Sequence, residues 1–170
     1  MYKLAAFIFA ISAIFSVSAL AEDYPIVISP KTVTELTKKL SDKITADQTW
    51  SSPKTVAILD FELIPEKDNQ KIDKVIARDL SEDLSTSMSE IKNVKLVERG
   101  QLKKALSSAR LDQSDIIDPK TAKELGKMVS ADYILCGSIS DRGVFAVINA
   151  RMIDAQTGEV KFSVSVDFNK

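Results

Sequence analysis

The chain contains no histidine, one cysteine and only five glycines among its 170 residues. Without histidine it has no side chain with an unperturbed pKa near neutrality, which excludes histidine-based general acid–base catalysis and the commonest ligand of transition metals. The isolated glycines form neither a GxGxxG pattern nor a Walker-type loop. The sequence therefore predicts no catalytic residues, no cofactor, no metal site and no small-molecule ligand.

Positive charge is not in excess either. The formal net charge is -1 and the isoelectric point is about 5.6. Because proteins that bind a phosphate backbone carry a basic patch or stripe, nucleic acid is not an expected partner. The composition, 45% hydrophobic and 28% charged, is typical of one globular domain.

The only long apolar run is at the amino terminus. Residues 1–21 contain Lys3, then the apolar stretch Leu4–Phe15, and end in an Ala-Leu-Ala tripeptide at Ala21. This pattern predicts a cleaved secretory signal and a periplasmic protein. A membrane anchor is the alternative, but the uninterrupted apolar part is shorter than the roughly 20 residues that span a bilayer. No cysteine follows the cleavage region, so we expect no lipid anchor, and no transmembrane span in the mature chain.

The single cysteine, Cys136, lies within the apolar run Tyr133–Ile139. It cannot form a disulfide within its own chain, although export permits disulfides. Its surroundings favour a small buried hydrophobic residue over a reactive thiol.

Hydrophobic periodicity predicts an α/β domain with a mixed sheet, in the order α-β-α-β-α-α-β-β-β. The first helix covers residues 32–46, where Thr32 and Glu35 have the spacing of a capping box. Its apolar stripe favours packing on the chain's own sheet over an external partner. The stripe consists of Val33, Leu36, Leu40 and Ile44.

The next elements form a βαβ unit. A buried strand follows Thr55, a helix covers about residues 71–91, and a second strand begins near Val94, so the two strands should be parallel. A narrow helix starts near Gly100. Asp118 and Pro119 then mark the N-cap and first residue of a helix that ends near residue 129.

Three strands complete the chain, at residues 131–139, 144–154 and 160–168, with a glycine-containing turn that makes the first pair antiparallel. The last strand alternates, which indicates one covered and one wet face of an edge strand. Val160, Phe162, Val164, Val166 and Phe168 should form its covered face. Polar side chains on the last two strands suggest a partner surface, although cross-strand pairing alone is the commoner reason for such residues. These residues are Asn149, Arg151, Lys161, Ser163 and Ser165.

Four blocks of the sequence, in this order, resemble the CsgG family of curli-secretion proteins and its FlgO- and LpoB-type periplasmic relatives. They are VAILDFE, LVERGQLKKALSSARLDQSD, DPKTAKELGKMVSADYILCGSIS and VINARMIDAQTGEV. The resemblance covers about residues 32–168. It implies a periplasmic α/β domain, similar to the amino-terminal domain of TolB, that mediates protein contacts without known catalysis. The expected domain spans residues 55–170, preceded by a leader, helix and linker at 22–54.

The chain departs from the pore-forming member of that family. It has no lipobox cysteine, and residues 140–144 form one short turn where the pore former has a membrane-inserted hairpin. Each transmembrane strand needs about 9–11 residues. The resemblance therefore implies the periplasmic domain alone, without a channel.

The sequence thus predicts a non-enzymatic interaction domain that acts, with an envelope protein or its own copies, in the assembly or regulation of a surface structure. One alternative is an LpoB-like activator of a peptidoglycan synthase. Another is a small metal-binding or hydrolytic protein that uses Asp60 and Glu62, at the end of a predicted parallel strand. A solvated strand end is the commoner reason for such carboxylates. The metal hypothesis predicts a thermal stabilisation by divalent ions that is lost in Asp60→Ala.

Overall fold

The computed structural model describes residues 25–65, 74–111 and 118–170. The predicted signal peptide lies outside these ranges. The described residues form four helices, α1 (Pro30–Ala46), α2 (Lys74–Met88), α3 (Arg99–Ala109) and α4 (Pro119–Val129). They also form six strands, β1 (Lys54–Ile58), β2 (Glu62–Ile64), β3 (Val94–Leu96), β4 (Tyr133–Asp141), β5 (Phe145–Asp154) and β6 (Val160–Asn169).

The strands form one mixed sheet in the order β3-β1-β4-β5-β6, with the short β2 also paired to β4. β1 is parallel to β3 and β4, whereas β4, β5 and β6 are antiparallel to one another. The predicted fold class, the parallel first pair and the antiparallel carboxyl-terminal strands are confirmed. The three-residue β2 was not predicted, because it is too short to show a period.

The start of α1 differs from the predicted capping box. Ser29 is the N-cap, and its Oγ accepts a hydrogen bond from the Thr32 backbone N–H at 3.2 Å. Pro30 occupies the first helical position, where its missing N–H costs nothing. Glu35 instead forms an ion pair with Lys39 at 3.1 Å. The capping-box prediction was therefore wrong, because the serine–proline pair starts the helix earlier.

Helices cover both faces of the sheet. α1 and α2 pack on one face, where the largest core includes Leu36, Leu40, Leu84 and Met88. α3 and α4 pack on the other face, where a smaller core includes Leu106 and Leu125. α1 thus packs on its own sheet, as its apolar stripe predicted. Lys39 on α1 also donates to the backbone oxygen of Ser165 at 2.8 Å, which occupies an acceptor on the edge strand β6.

The segment between α1 and β1 is more than a linker. Residues Gln48–Ser51 form a 3-10 turn that buries Trp50, which is only 4% exposed. Its indole stacks on the Tyr133 ring with the centroids 4.7 Å apart. The burial of Trp50 was not predicted from the sequence. Its neighbours in the sequence are polar, and a single aromatic side chain shows no hydrophobic periodicity.

The two faces are covered unequally. The core under α1 and α2 reaches all along β4, β5 and β6, from Tyr133 to Val166. The core under α3 and α4 stops at Cys136 on β4 and at Ile153 on β5. The far halves of β4 and β5, together with β6, therefore have no helix over that face among the described residues. This difference leaves that part of the second face of the sheet open.

A β-bulge interrupts the alternation that the sequence predicts for the last strand. The register between β5 and β6 shifts between Met152 and Ile153, so that Ile153 lies opposite Val160. Val160 is consequently 51% exposed and does not join the covered face. Phe162, Val164 and Val166 do pack in the larger core.

A buried ion pair closes the hairpin end of the sheet. Asp141, at the end of β4, contacts the Lys170 Nζ through Oδ2 at 2.6 Å, and the two side chains are only 3% and 2% exposed. The other oxygen of Asp141 accepts a hydrogen bond from the Gly143 backbone N–H at 2.9 Å. The pair thereby ties Lys170, which follows β6, to the β4–β5 turn.

We expect Lys170→Met to lower the free energy of unfolding by about 3–5 kcal/mol, since it removes the cation that contacts the buried Asp141 carboxylate. Urea unfolding monitored by circular dichroism measures the change. The matched control is Lys161→Met, whose ammonium pairs with Asp47 in a much more exposed position, and which should change stability far less. Equal losses in the two variants would contradict this account.

Candidate functional site

The candidate site is the uncovered part of the sheet, which we call the open face. Side chains alternate between the two faces along each strand, and the strand pairing then identifies those that point away from α1 and α2, beyond the reach of α3 and α4. The open face consists of Glu62, Ile64, Ser138, Ser140, Phe145, Val147, Asn149, Arg151, Ser163, Ser165 and Asp167, of which Ser140 is buried.

Four of the five residues predicted from the sequence meet on this face. Asn149 lies opposite Ser138 on β4 and Ser165 on β6, and Arg151 lies opposite Ser163. Asn149, Ser163 and Ser165 are exposed, whereas Ser138 and Arg151 are half-buried. The antiparallel register thus assembles one continuous row of small polar groups across three strands.

Lys161, the fifth predicted residue, does not belong to the open face. It occupies the bulge, and its Nζ contacts Asp47 Oδ2, at the end of α1, at 3.1 Å. The pKa of Asp47 is lowered, chiefly by the hydrogen bond from the Thr49 backbone N–H, and the Asp47 carboxylate in turn raises the pKa of Lys161. Lys161 therefore links β6 to α1 and is not placed to bind a partner through the open face.

Apolar side chains complete the open face, and the sequence reasoning did not select them. Ile64 is 41% exposed and Phe145 is 39% exposed, while Val147 is half-buried beside them. Val144, at the tip of the β4–β5 turn, is 74% exposed. The alternation of β5 could have identified Phe145 and Val147, since they share a face with Asn149. Ile64 required the pairing of β2 with β4.

The composition of the open face suits a protein contact better than a reaction. Small hydroxyl and amide groups share this face with an exposed aromatic ring, and its charged side chains, Glu62, Arg151 and Asp167, include both signs. The centre of a protein interface is likewise poor in charge and enriched in aromatic residues.

Cys136 lies at the border between the open and the covered halves. It is 5% exposed and packs in the smaller core, as its apolar neighbours predicted. Burial raises the pKa of its thiol, with a smaller opposing effect from the guanidinium of its cross-strand neighbour Arg151. The thiol therefore remains protonated near neutral pH.

Asp60 and Glu62, the carboxylates of the metal hypothesis, have other neighbours in the structure. Asp60 accepts a hydrogen bond from Arg99 Nη2 at 2.7 Å, and Glu82 lies 3.9 Å from the same nitrogen. Glu62 begins β2, opposite Ser138. In residues 25–65, 74–111 and 118–170, no three histidine, cysteine, aspartate or glutamate side chains are grouped so that they could hold a metal ion.

None of the helices in the three described ranges is both long enough and apolar enough to cross a bilayer.

Residues 29–167 match the model of one protein family, which is described as "Peptidoglycan-synthase activator LpoB". A comparison with curated proteins finds no match. LpoB-type proteins are among the relatives that the sequence resemblance included. The match does not support CsgG itself or a role in curli secretion.

Solved structures show the same fold. The LpoB C-terminal domain from Salmonella enterica is 18% identical with a TM-score of 0.63, and the alignment covers 79% of this chain and 96% of that one. The Escherichia coli LpoB C-terminal domain is 18% identical with a TM-score of 0.62 over the same shares. Lipoprotein GNA1162 from Neisseria meningitidis is 13% identical with a TM-score of 0.54, covering 69% of this chain and 81% of that one.

We expect the Cys136 thiol to resist labelling by a thiol reagent such as DTNB in the native protein at neutral pH, because it is buried and protonated. Labelling in denaturant should be fast and should reach one thiol per chain, since the sequence has one cysteine. Rapid native labelling would show that the border of the open face is accessible and that the smaller core ends before Cys136.

Proposed function

The chain belongs to the LpoB family of peptidoglycan-synthase activators, and from this we propose that it is a periplasmic, non-enzymatic activator that binds a peptidoglycan synthase through its open face. The observation that carries the proposal is the extent of the family match. It begins at Ser29, the N-cap of α1, and ends at Asp167 in β6. It thus includes the helix that starts the fold and nearly all of the edge strand.

This proposal replaces assembly of a surface structure as the leading hypothesis. Both ideas require a domain that works through protein contacts, and the family adds the class of partner. The predicted signal peptide supports a periplasmic location. We further propose that the mature protein carries no lipid, because no cysteine follows Ala21 before Cys136.

An activator of this kind acts by differential binding. A synthase with a resting and an active conformation shifts to the active one only if the activator binds that conformation more tightly. A tenfold difference in affinity corresponds to about 1.4 kcal/mol. A small domain can supply this energy with a few well-placed contacts and needs no chemical step of its own.

The open face alone is smaller than a typical protein–protein interface, so contact with the synthase needs additional surface. Four strands about 4.8 Å apart, and six residues along β5 at about 3.4 Å each, give a patch of roughly 14 by 20 Å. A stable interface buries about 800 Å² on each partner. We therefore propose that the contact extends beyond this patch, from Asn149 at its centre through Phe145 to Val144 at the hairpin tip.

We expect Asn149→Arg to weaken synthase binding by roughly 30-fold, since a long cation at the centre of the contact removes interactions worth about 2 kcal/mol or more. The measurement is the consumption of a fluorescent lipid-linked disaccharide precursor by a synthase from the same organism, with and without the signal-cleaved protein. Calorimetry then compares the affinities of the variants.

The matched control is Ser107→Arg, an equally long cation on the exposed surface of α3. Circular dichroism should show that both variants are folded. If Asn149→Arg stimulates as well as the wild-type protein, the open face is not the contact. If the wild-type protein neither binds nor stimulates the synthase, the proposed function is wrong.

A further inference from the structure

A cleft lies on the side of the sheet opposite to the open face. It is bounded by the last three turns of α1, the 3-10 turn at residues 48–51 and the carboxyl-terminal end of α2 with the residues that lead into β3. Its volume is about 860 Å³. This volume lies within the range of roughly 300–1,000 Å³ that is typical of small-molecule sites.

The walls of the cleft are rich in hydroxyl groups that retain the capacity to accept hydrogen bonds. Thr34 donates to the Pro30 oxygen at 2.9 Å, and Ser87 donates to the Asp83 oxygen at 3.0 Å. Thr45 donates in the same way to the Ser41 oxygen. Each hydroxyl has two acceptor lone pairs that these bonds leave free. The three oxygens are thus oriented acceptors for the hydroxyl groups of a ligand.

Donors are also available. Within the described residues, Thr37 Oγ1 and Trp50 Nε1 are buried polar atoms with no hydrogen-bond partner, and both residues line the cleft. Trp50 is only 4% exposed and the indole nitrogen can only donate. Because buried polar groups are nearly always hydrogen-bonded, two unpartnered ones in residues that line the cleft point to a ligand that brings acceptors.

Three of the five charged side chains that line the cleft, Lys38, Asp42 and Asp47, form ion pairs. Lys38 pairs with Asp42 at 2.6 Å, and Asp47 pairs with Lys161 at 3.1 Å. Glu90 and Lys92, both on the α2 side, have opposite signs. The formal charges around the cleft therefore nearly cancel, and a neutral ligand with many polar groups suits these walls better than a phosphate.

We propose that this cleft binds an uncharged, N-acetylated saccharide. The sugar hydroxyls donate to Thr34, Thr45 and Ser87, and the acetamido oxygen accepts from the donors at Thr37 and Trp50. The choice of an N-acetylated sugar rests on the proposed function, because the glycan strands that a peptidoglycan synthase makes consist of N-acetylated amino sugars. The domain would then contact the synthase with one side of its sheet and a glycan with the other.

The single tryptophan provides the test, since Trp50 lines the cleft and no other indole contributes to the fluorescence. The probe is the N-acetylglucosamine tetramer, titrated into the signal-cleaved protein. We expect a saturable change in fluorescence, and weaker binding of maltotetraose, which has no acetamido groups. Thr37→Val should weaken tetramer binding about three- to tenfold, as expected when a single hydrogen bond is lost.

The matched control is Thr86→Val, which removes a threonine hydroxyl from the exposed side of α2 and should leave tetramer binding unchanged. Thermal unfolding checks that both variants are folded, and amide chemical shifts map the bound sugar. The proposal is overturned if the tetramer changes neither fluorescence nor amide shifts, or if Thr37→Val binds like the wild-type protein.

The synthase assay separates this proposal from the one on which it rests. A protein that stimulates the synthase but does not bind the tetramer retains the proposed function without a saccharide site. A protein that binds the tetramer in the cleft but does not stimulate the synthase has the site without the function.

Discussion

The structure depends on the burial of one strand, β4, on both of its faces. Leu135 and Ile139 point into the core under α1 and α2, and Ile134 and Cys136 point into the core under α3 and α4. β4 also pairs with β1 and β2 on one side and β5 on the other. Because apolar side chains on both faces need cover, helices must pack above and below the sheet.

The same requirement explains where the cover ends. Beyond Cys136, the second face of β4 carries Ser138 and Ser140, whose polar side chains do not need a helix over them. The helices α3 and α4 are also only 11 residues each, or about 16 Å long. The short helices and the polar half of β4 together leave the open face uncovered, so the surface is a consequence of how the core is built.

The two proposed sites lie on opposite sides of the sheet and differ in chemistry. The open face is a shallow surface with an aromatic ring among small polar groups, which suits another protein. The cleft at α1 and α2 is concave, with hydroxyl acceptors and unpartnered donors, which suits a neutral polar ligand. An envelope protein with both surfaces can hold a synthase and a glycan at the same time without competition between them.

The sequence by itself determined the fold class, the order of the elements and most of the core. Periodicity is a local property, so the stripe on α1 and the Asp118–Pro119 start of α4 could be recognised from neighbouring residues alone. The predicted start of α1 was still wrong, because the Ser29–Pro30 pair and the Thr32–Glu35 pair are both good N-terminal signals and lie close together in the sequence. The family resemblance also included the LpoB-type proteins but favoured a different member.

Only the tertiary structure decided which of the polar residues act together. Asn149 and Ser165 meet because the β5–β6 register places them opposite each other, and Lys161 leaves that group because of one bulged residue. The cleft and the burial of Trp50 depend on helices that are far apart in the sequence. Register, bulges and helix contacts are set by packing across the whole domain, and no local pattern of residues contains that information.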